Sequence, residues 1–567
     1  MKLQDMVYER PNVEELKVQI KGLVDEFKAA STFEEADAVR TRYDELFDHY
    51  ETLATLCYIR HSVNTKDEYY DKEQQWNDEQ MPIIQEYSQM FTEALLESKF
   101  RPQFEDKYGD LLFINAEMEK RTFKPEIIAD LQAENKLVTD YEKLLASAQI
   151  DFEGKKMTIS ELLPYKQDAD DKLRLDAWTA EGNFYMENKA ELDRLYDDLV
   201  KVRDKMGKAL GHSNYIPLGY DRMTRNSYTK DDVDRFRKAV VKYIVPLADK
   251  IYRDQAKRIG KDYPMNYADA ALMFRDGMAK PQGTADDILA HGKKFYHELS
   301  PETTEFIDFM YDNDLLDVLS KDGKAVGGYC TEIPDYQAEF IFANFNGTAD
   351  DVETVTHEAG HAFAGYVAAR EIDFKAYRNP TMESCEIHSM SMEFFAWKWA
   401  EGFFGPKTEK FKYQHLAGAL KFIPYGTMVD HFQHIAYEHP ELTPKQRDEE
   451  WKKLTAIYMP WIKMDEIPFF GDGAAWQRQH HIYSYPFYYI DYCFAQTVAL
   501  EFWAFMQKDF DAAWKAYLKL VRLGGTKTFN GLVDAAGLDN PFDEEAFKKI
   551  CETAGAWLDD FDESKLS

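Results

Sequence analysis

The chain has 567 residues, with 69 Lys and Arg against 102 Asp and Glu, for a net charge of −33. That balance excludes nucleic acid and anionic membranes as partners, because phosphate recognition depends on clustered Lys and Arg. With 45% hydrophobic and 15% aromatic residues, there is material for a large core and for the walls of an aromatic-lined cavity.

The N-terminal segment, Met1 to Met6, carries no apolar leader, and no later run reaches 18 apolar residues. Five cysteines (Cys57, Cys330, Cys385, Cys493, Cys551) are scattered and odd in number, with no disulfide framework or zinc-finger spacing. A soluble cytoplasmic protein is expected.

In chain order, the pattern is helical from Pro11 to about Asn64. Thr32 and Glu35 read as a capping box, and Ala36, Val39, Tyr43 and Phe47 form one stripe. Thr65 with Glu68 reads as a second cap, before a helix through Ile83, Ile84, Tyr87 and Phe91, and Lys124 to Ala148 is helical again. Residues 149–159 alternate and turn at Gly154, as a short β-hairpin does. Asp193 to Lys208 predicts an amphipathic helix, and Thr229 with Asp232 caps the next one.

The character changes between Val326 and Phe345. Residues 326–331 and 338–345 read as strands separated by Pro334-Asp335, and Thr348 or Asp350 caps the helix that follows. A strand delivered just before that helix either pairs with an extended peptide or supports the helix from behind; both readings stay open. A further helix starts at Thr381, and another helical region runs to about Thr455. Trp461 to Tyr492 is rich in aromatics and histidine, and the C-terminal part is helical apart from Gly524-Gly525-Thr526. No repeat and no linker separates independent domains. The expected fold is mainly α, a large helical assembly with a small sheet beside the helix of residues 350–364.

That helix carries His357-Glu358-Ala359-Gly360-His361. Residues four apart share a helix face, so His357 and His361 can present two imidazoles to one ion. Zinc suits this pair, since it takes neutral imidazole nitrogens and keeps a position open for water when only three ligands are supplied. Glu358 can lean toward that water as a general base. The third ligand is commonly a carboxylate, and the next helix offers Glu383, Glu386 and Glu393. Spacing leaves Glu383 and Glu386 competing. The apolar neighbours Met382, Ile387, Met390 and Met392 indicate a buried helix, where a carboxylate needs a partner. The pair His431 and His434 has no carboxylate or cysteine cluster to complete a second site and reads as core histidine. Neither Cys330 nor Cys385 has the setting of a nucleophile.

The segments Asp350 to His361 and Glu386-Ile387-His388-Ser389-Met390-Ser391-Met392-Glu393 resemble the zinc metallopeptidase family of thimet oligopeptidase and oligoendopeptidase F. The resemblance spans positions 200–545, whereas the stretch 1–160 shares only general helical character. It implies that the third ligand heads the second of the two segments, which is Glu386. It also implies that a second carboxylate, Glu393, orients a ligand histidine. A histidine and two tyrosines across the cleft are implied as well, stabilising the oxyanion. With His480 as position i, the family's tyrosines at i+9 and i+12 fall on Tyr489 and Tyr492, and His481 is the alternative register for the histidine. Ala364 stands where many relatives carry a further, non-ligand histidine.

On this basis the chain is expected to be a zinc-dependent endopeptidase. It would hold one Zn²⁺ on His357, His361 and Glu386, with Glu358, Tyr492, Tyr489 and His480 or His481 catalytic. Short unstructured peptides are the implied substrates, reached through a deep channel. Residues 1–160 would form one wall or lid, and residues 161–567 the catalytic region. A zinc carboxypeptidase of related helical fold is the alternative.

Overall fold

A computed structural model describes residues 1–566. The N-terminal part is a stack of long helices: α1 (Val13–Ala29), α2 (Phe33–Val63) and α3 (Glu68–Leu96). Thr32 accepts the Glu35 amide at the start of α2, as the sequence reading expects. The cap of α3 is Asp67 and not Thr65; its carboxylate takes the amides of Tyr69 and Tyr70. Thr65 is instead tied by its hydroxyl to the Gly323 carbonyl at 2.7 Å. These helices share an apolar core of their own, built from residues such as Ile20, Phe27, Phe91 and Phe104, which also takes in Phe374 and Tyr377 from the C-terminal half of the chain.

Helix α4 (Ile128–Ala146) leads into a hairpin of β1 (Ile150–Phe152) and β2 (Lys155–Met157), which turns at Gly154. Next come the 39-residue helix α5 (Asp171–Ala209) and, after a cis Tyr263-Pro264 bond, the two-residue strand β3 (Met265–Asn266). Leu131, Tyr141 and Leu145 of α4 join α5 in the main hydrophobic core and the hairpin residues Ile150, Phe152 and Met157 sit in a small third cluster, so the stretch 1–160 divides its packing among three cores.

The sheet beside the His357–His361 motif has three strands in the order β4 (Leu316–Leu319), β6 (Ala338–Phe345), β5 (Tyr329–Ile333). Strand β6 is buried along nearly its whole length and pairs parallel with β4 and antiparallel with β5. Its two edges are therefore occupied, and it cannot accept a peptide strand; β4 and β5 are the edge strands. The strand expected from Val326 begins only at Tyr329, because Gly327 adopts φ 90° and bends the chain.

Helix α6 (Asp350–Glu371) follows β6 directly, and its start differs from the expectation. Neither Thr348 nor Asp350 caps it. Ala349 occupies the cap position, and the Asp351 carboxylate turns back to accept the amides of Asn346 and Gly347. Helix α7 (Met382–Phe395) lies against α6 at close range. A Cβ on Gly360 would sit 2.7 Å from the His388 carbonyl oxygen and from Ser389 Cα. The glycine inside the histidine motif is thus what lets the two helices approach. Helix α8 (Thr408–Glu438), the two-residue strand β7 (Ile462–Lys463), helix α9 (Tyr489–Lys508) and helix α10 (Phe510–Leu523) complete the body, with α7 packed against α9. No helix among the described residues is long and apolar enough to cross a membrane.

Candidate active site

A cleft of about 570 Å³ runs between the N-terminal helices, strand β5 and helices α6 and α7. His357, Glu358, His361 and Glu386 line it, with Tyr58, Tyr141 and Glu142 facing them from α2 and α4.

One turn of α6 separates His357 from His361. Their Nε2 atoms lie 3.2 and 3.3 Å from the same carboxylate oxygen, Oε2 of Glu386. The three side chains form the one cluster of potential ligand atoms within 4.8 Å among the described residues. Glu386 is 1% exposed, and burial alone would push its carboxyl up. The two imidazoles reverse this and hold it well below the usual range. Glu383, one turn earlier on α7 and equally buried, has no such partner, and burial pushes it up to about 7. Glu386 is therefore the carboxylate that meets the histidines, and Glu383 is not.

The outer nitrogen of His357 is fixed by a relay. Trp397 donates its indole N–H to His415 Nδ1 at 2.8 Å, which leaves the His415 proton on Nε2. That proton points at Glu393 Oε2, 2.8 Å away, and the other oxygen of Glu393 accepts from His357 Nδ1 at 2.7 Å. His357 Nε2 therefore faces Glu386 and the cleft, and against burial the carboxylates of Glu386 and Glu393 push this imidazole well above its ordinary value. A neutral imidazole with its outer N–H on a carboxylate is the arrangement that metal-ligating histidines adopt. Two such nitrogens and one carboxylate oxygen match the donor set of a catalytic zinc site. His415 escapes sequence reasoning, because no motif or spacing connects it to the residues it meets from α7 and beyond.

Glu358 is 7% exposed and lines the cleft beside β5. Gly328 packs against it so closely that a Cβ there would lie 3.2 Å from Glu358 Oε1. Burial raises its carboxyl above the ordinary value, against the pull of His357 and His361.

The facing wall comes from residues 480–492. His480 and His481 both line the cleft, and burial keeps both imidazoles neutral: His480 falls to about 4 and His481 well below its usual value. His481 is the one tied to a tyrosine. Gln479 donates to His481 Nδ1 at 2.8 Å, so the Nε2–H faces the Tyr492 hydroxyl at 3.3 Å. Tyr492 also lines the cleft, with its ring 6.4 Å from that of His357. Tyr489 does not line it. Its ring is turned toward Phe422, Tyr425 and His481. The neighbour Tyr488 takes the place expected of Tyr489: it lines the cleft and donates its hydroxyl to Glu386 Oε1.

The reason is local. Phe487, which is not glycine, adopts φ 69°, and helix α9 begins only after it. Tyr488 and Tyr492 are four apart and share a face, whereas Tyr489 is rotated by about 100°. The bend is anchored on all sides. Gln433 Oε1 accepts the Phe487 amide at 2.8 Å, Arg225 donates to its carbonyl at 2.5 Å, and the ring lies over Gly219, where a Cβ would come within 2.6 Å.

The other sequence candidates are placed elsewhere. His434 uses one ring nitrogen on the Asp430 carbonyl at 2.9 Å and the other on the Tyr220 hydroxyl at 2.9 Å; His431 contacts the Tyr458 hydroxyl at 3.1 Å. Burial pushes the Cys330 and Cys385 thiols up, away from the thiolate. Of the glycine-rich loop only Gly524 lines the cleft, and Gly525 is bonded to the Tyr377 carbonyl at 2.7 Å.

A family model described as the peptidase M3 N-terminal domain matches residues 3–123, and one described as peptidase family M3 matches residues 296–552. The oligoendopeptidase F homolog of Borreliella burgdorferi is 23% identical over 425 residues, covering 71% of this chain and 69% of its own. Among solved structures, PZ peptidase A with an inhibitor is 43% identical over 100% of both chains, with a TM-score of 0.98. A Bacillus anthracis str. Ames protein provisionally named oligoendopeptidase F is 43% identical, with a TM-score of 0.94, over 100% of this chain and 99% of that one.

Proposed function

The chain belongs to peptidase family M3, and from that premise we propose that it is a zinc-dependent endopeptidase of short, unstructured peptides. The observation that carries the proposal is the convergence of His357, His361 and Glu386 on one point of a cleft that Glu358 also faces. Zinc held by these three side chains would lower the pKa of a water and polarise the scissile carbonyl.

The residues of the chain then divide the work. Glu358 removes a proton from the attacking water and returns it to the leaving amine. Glu393, fixed by His415, keeps His357 in the tautomer that presents Nε2. Tyr492, oriented by His481, donates its hydroxyl to the carbonyl oxygen as it gains charge, and Tyr488 joins it by turning its proton from Glu386 to the substrate. Edge strand β5, four of whose five residues line the cleft, offers backbone groups to an extended peptide. His480 is assigned a place in the substrate wall without a role in proton transfer. Residues 1–160 supply the opposite wall or lid.

The test is Glu358→Gln. Zinc content should remain at one per chain, while cleavage of an internally quenched peptide falls roughly 10²–10⁴-fold. Near-normal turnover at full zinc occupancy overturns the assignment.

A further inference from the structure

Behind the wall that carries His481 and Tyr492 lies a second cavity, of about 410 Å³. The partition between the two is a hydrogen-bonded chain. Tyr425, on the far side, donates to Gln479 Oε1 at 2.9 Å, and Gln479 donates to His481 on the near side.

The chemistry of this second cavity is unlike that of the cleft. Its walls are largely aromatic (Trp178, Tyr252, Tyr267, Phe422, Tyr425), and its two charged lining groups are both cations, Lys421 and Arg478. In a chain of net charge −33, an interior space lined by cations alone calls for an explanation. Lys421 has no carboxylate within 4.0 Å among the described residues. Its ammonium donates to the Gln255 amide oxygen at 2.9 Å and lies 4.1 Å from the centroid of the Tyr252 ring. Arg478 is 3.2 Å from Glu181, but that carboxylate is also paired with the buried Lys166, so one anion serves two cations. Burying an ammonium without an anion is costly, and burial together with the nearby Arg258 pulls Lys421 down to about 7. An incoming anion would remove that cost. The rings around it favour an anion attached to an apolar or aromatic body, and the volume is that of a small-ligand site.

We propose that this cavity binds a terminal carboxylate carried on an aromatic or apolar residue, with Lys421 as its ion partner and the surrounding rings enclosing the side chain. The proposal rests on the peptidase reading above. Two sources share this chemistry: the far end of a peptide lying in the catalytic cleft, and a released product bound separately.

The probe is N-acetyl-phenylalanine, compared with its amide and titrated into the zinc-loaded enzyme by calorimetry. The acid should bind at least tenfold more tightly than the amide, and Lys421→Met should abolish the preference. Equal binding of the two forms, or a preference that survives Lys421→Met, overturns the proposal, the latter because it would place the carboxylate elsewhere, such as on the metal. If Lys421→Met fails to fold, a crystal of the wild-type enzyme soaked with the acid decides: its carboxylate within hydrogen-bond distance of Lys421 Nζ supports the site, and density confined to the cleft refutes it. Quenched peptides with free and amidated C-termini separate the two sources. If the substrate's own end fills the cavity, wild-type KM favours the free acid and the ratio of the two KM values moves to one in Lys421→Met. If a product fills it, the ratio is one throughout while the probe still binds. None of the binding measurements needs turnover, so a chain that cleaves no peptide would sink the peptidase reading and leave these results legible.

Discussion

On the wall formed by α6 and α7, the carboxylates beside the histidine pair, Glu358 apart, are matched to imidazole: Glu386 to His357 and His361, Glu393 to His357 and His415. The wall opposite, from α4 and residues 480–492, is built from neutral groups: histidines discharged by burial, tyrosines, and the carboxyl of Glu142 with no cation beside it. In the proposed mechanism the first wall holds the cation, and the second donates hydrogen bonds to charge that develops during reaction. The difference also sets what each wall requires of the sequence, since ligands need only correct spacing on two rigid helices, whereas donors depend on how the chain bends before α9 begins.

The largest expected effect comes from removing a ligand. Glu386→Ala should abolish stable zinc binding and lower turnover about 10⁴-fold or more, while Glu383→Ala should leave zinc in place. Metal analysis after dialysis reads both variants. Retention of zinc by Glu386→Ala with loss from Glu383→Ala would exchange their roles and undo the contrast between the walls.

On the donor wall, Tyr492→Phe should lower kcat roughly 10²–10³-fold with zinc content unchanged. Tyr488→Phe should also lower kcat, and it should weaken zinc binding as well, because the hydroxyl of Tyr488 contacts Glu386. Tyr489→Phe should stay within about twofold of wild type, since its ring lies away from the cleft. A large loss in Tyr489→Phe with none in Tyr488→Phe would restore the register that counting from His480 gives.

That register shows where sequence reasoning stops. The histidine pair is legible because a helix converts spacing into direction, and positions 357 and 361 share a face; on α7 spacing leaves Glu383 and Glu386 competing, and only the family resemblance selects Glu386. The extent of β6 is legible for a similar reason, as a continuous apolar run ended by a turn. Tyr488 is not legible. Its direction depends on a left-handed Phe487, held by Gln433, Arg225 and Gly219, all of them distant in the chain. His415 fails for the same cause, since its partners Glu393 and Trp397 lie outside its own helix and no local pattern announces them. Gly360 lies between the two cases. It is plain in the motif, but its purpose appears only when α7 is seen pressed against it.

His415 offers a smaller test of the ligand wall. His415→Ala leaves Glu393 with one imidazole instead of two, and the outer proton of His357 less firmly held. Zinc affinity should fall about 10–100-fold, measured by competition with a chelating dye, and saturating zinc should restore most of the turnover. Unchanged affinity would mean that Glu393 alone fixes His357 and that the relay to Trp397 is only packing.

The smallest effect belongs to Glu142 and concerns stability. Burial, with Asp78 adding repulsion, raises its carboxyl from 4.5 to about 7, against a hydrogen bond with Ser484. The folded state therefore holds this proton across a range in which the unfolded chain has released it. Stability from this group is present below about pH 4.5 and is lost as pH rises toward about 7, the reverse of a carboxylate paired with a cation. Glu142→Gln removes the titration while keeping the shape. The variant should match wild type near pH 4, below the unfolded pKa, and exceed it at pH 8 by on the order of 1–3 kcal/mol, a rise in Tm of about 1–3 °C for a chain of this length. A gap between the two melting curves that narrows with rising pH would show that a cation does reach Glu142, and that the donor wall is neutralised in the same way as the ligand wall.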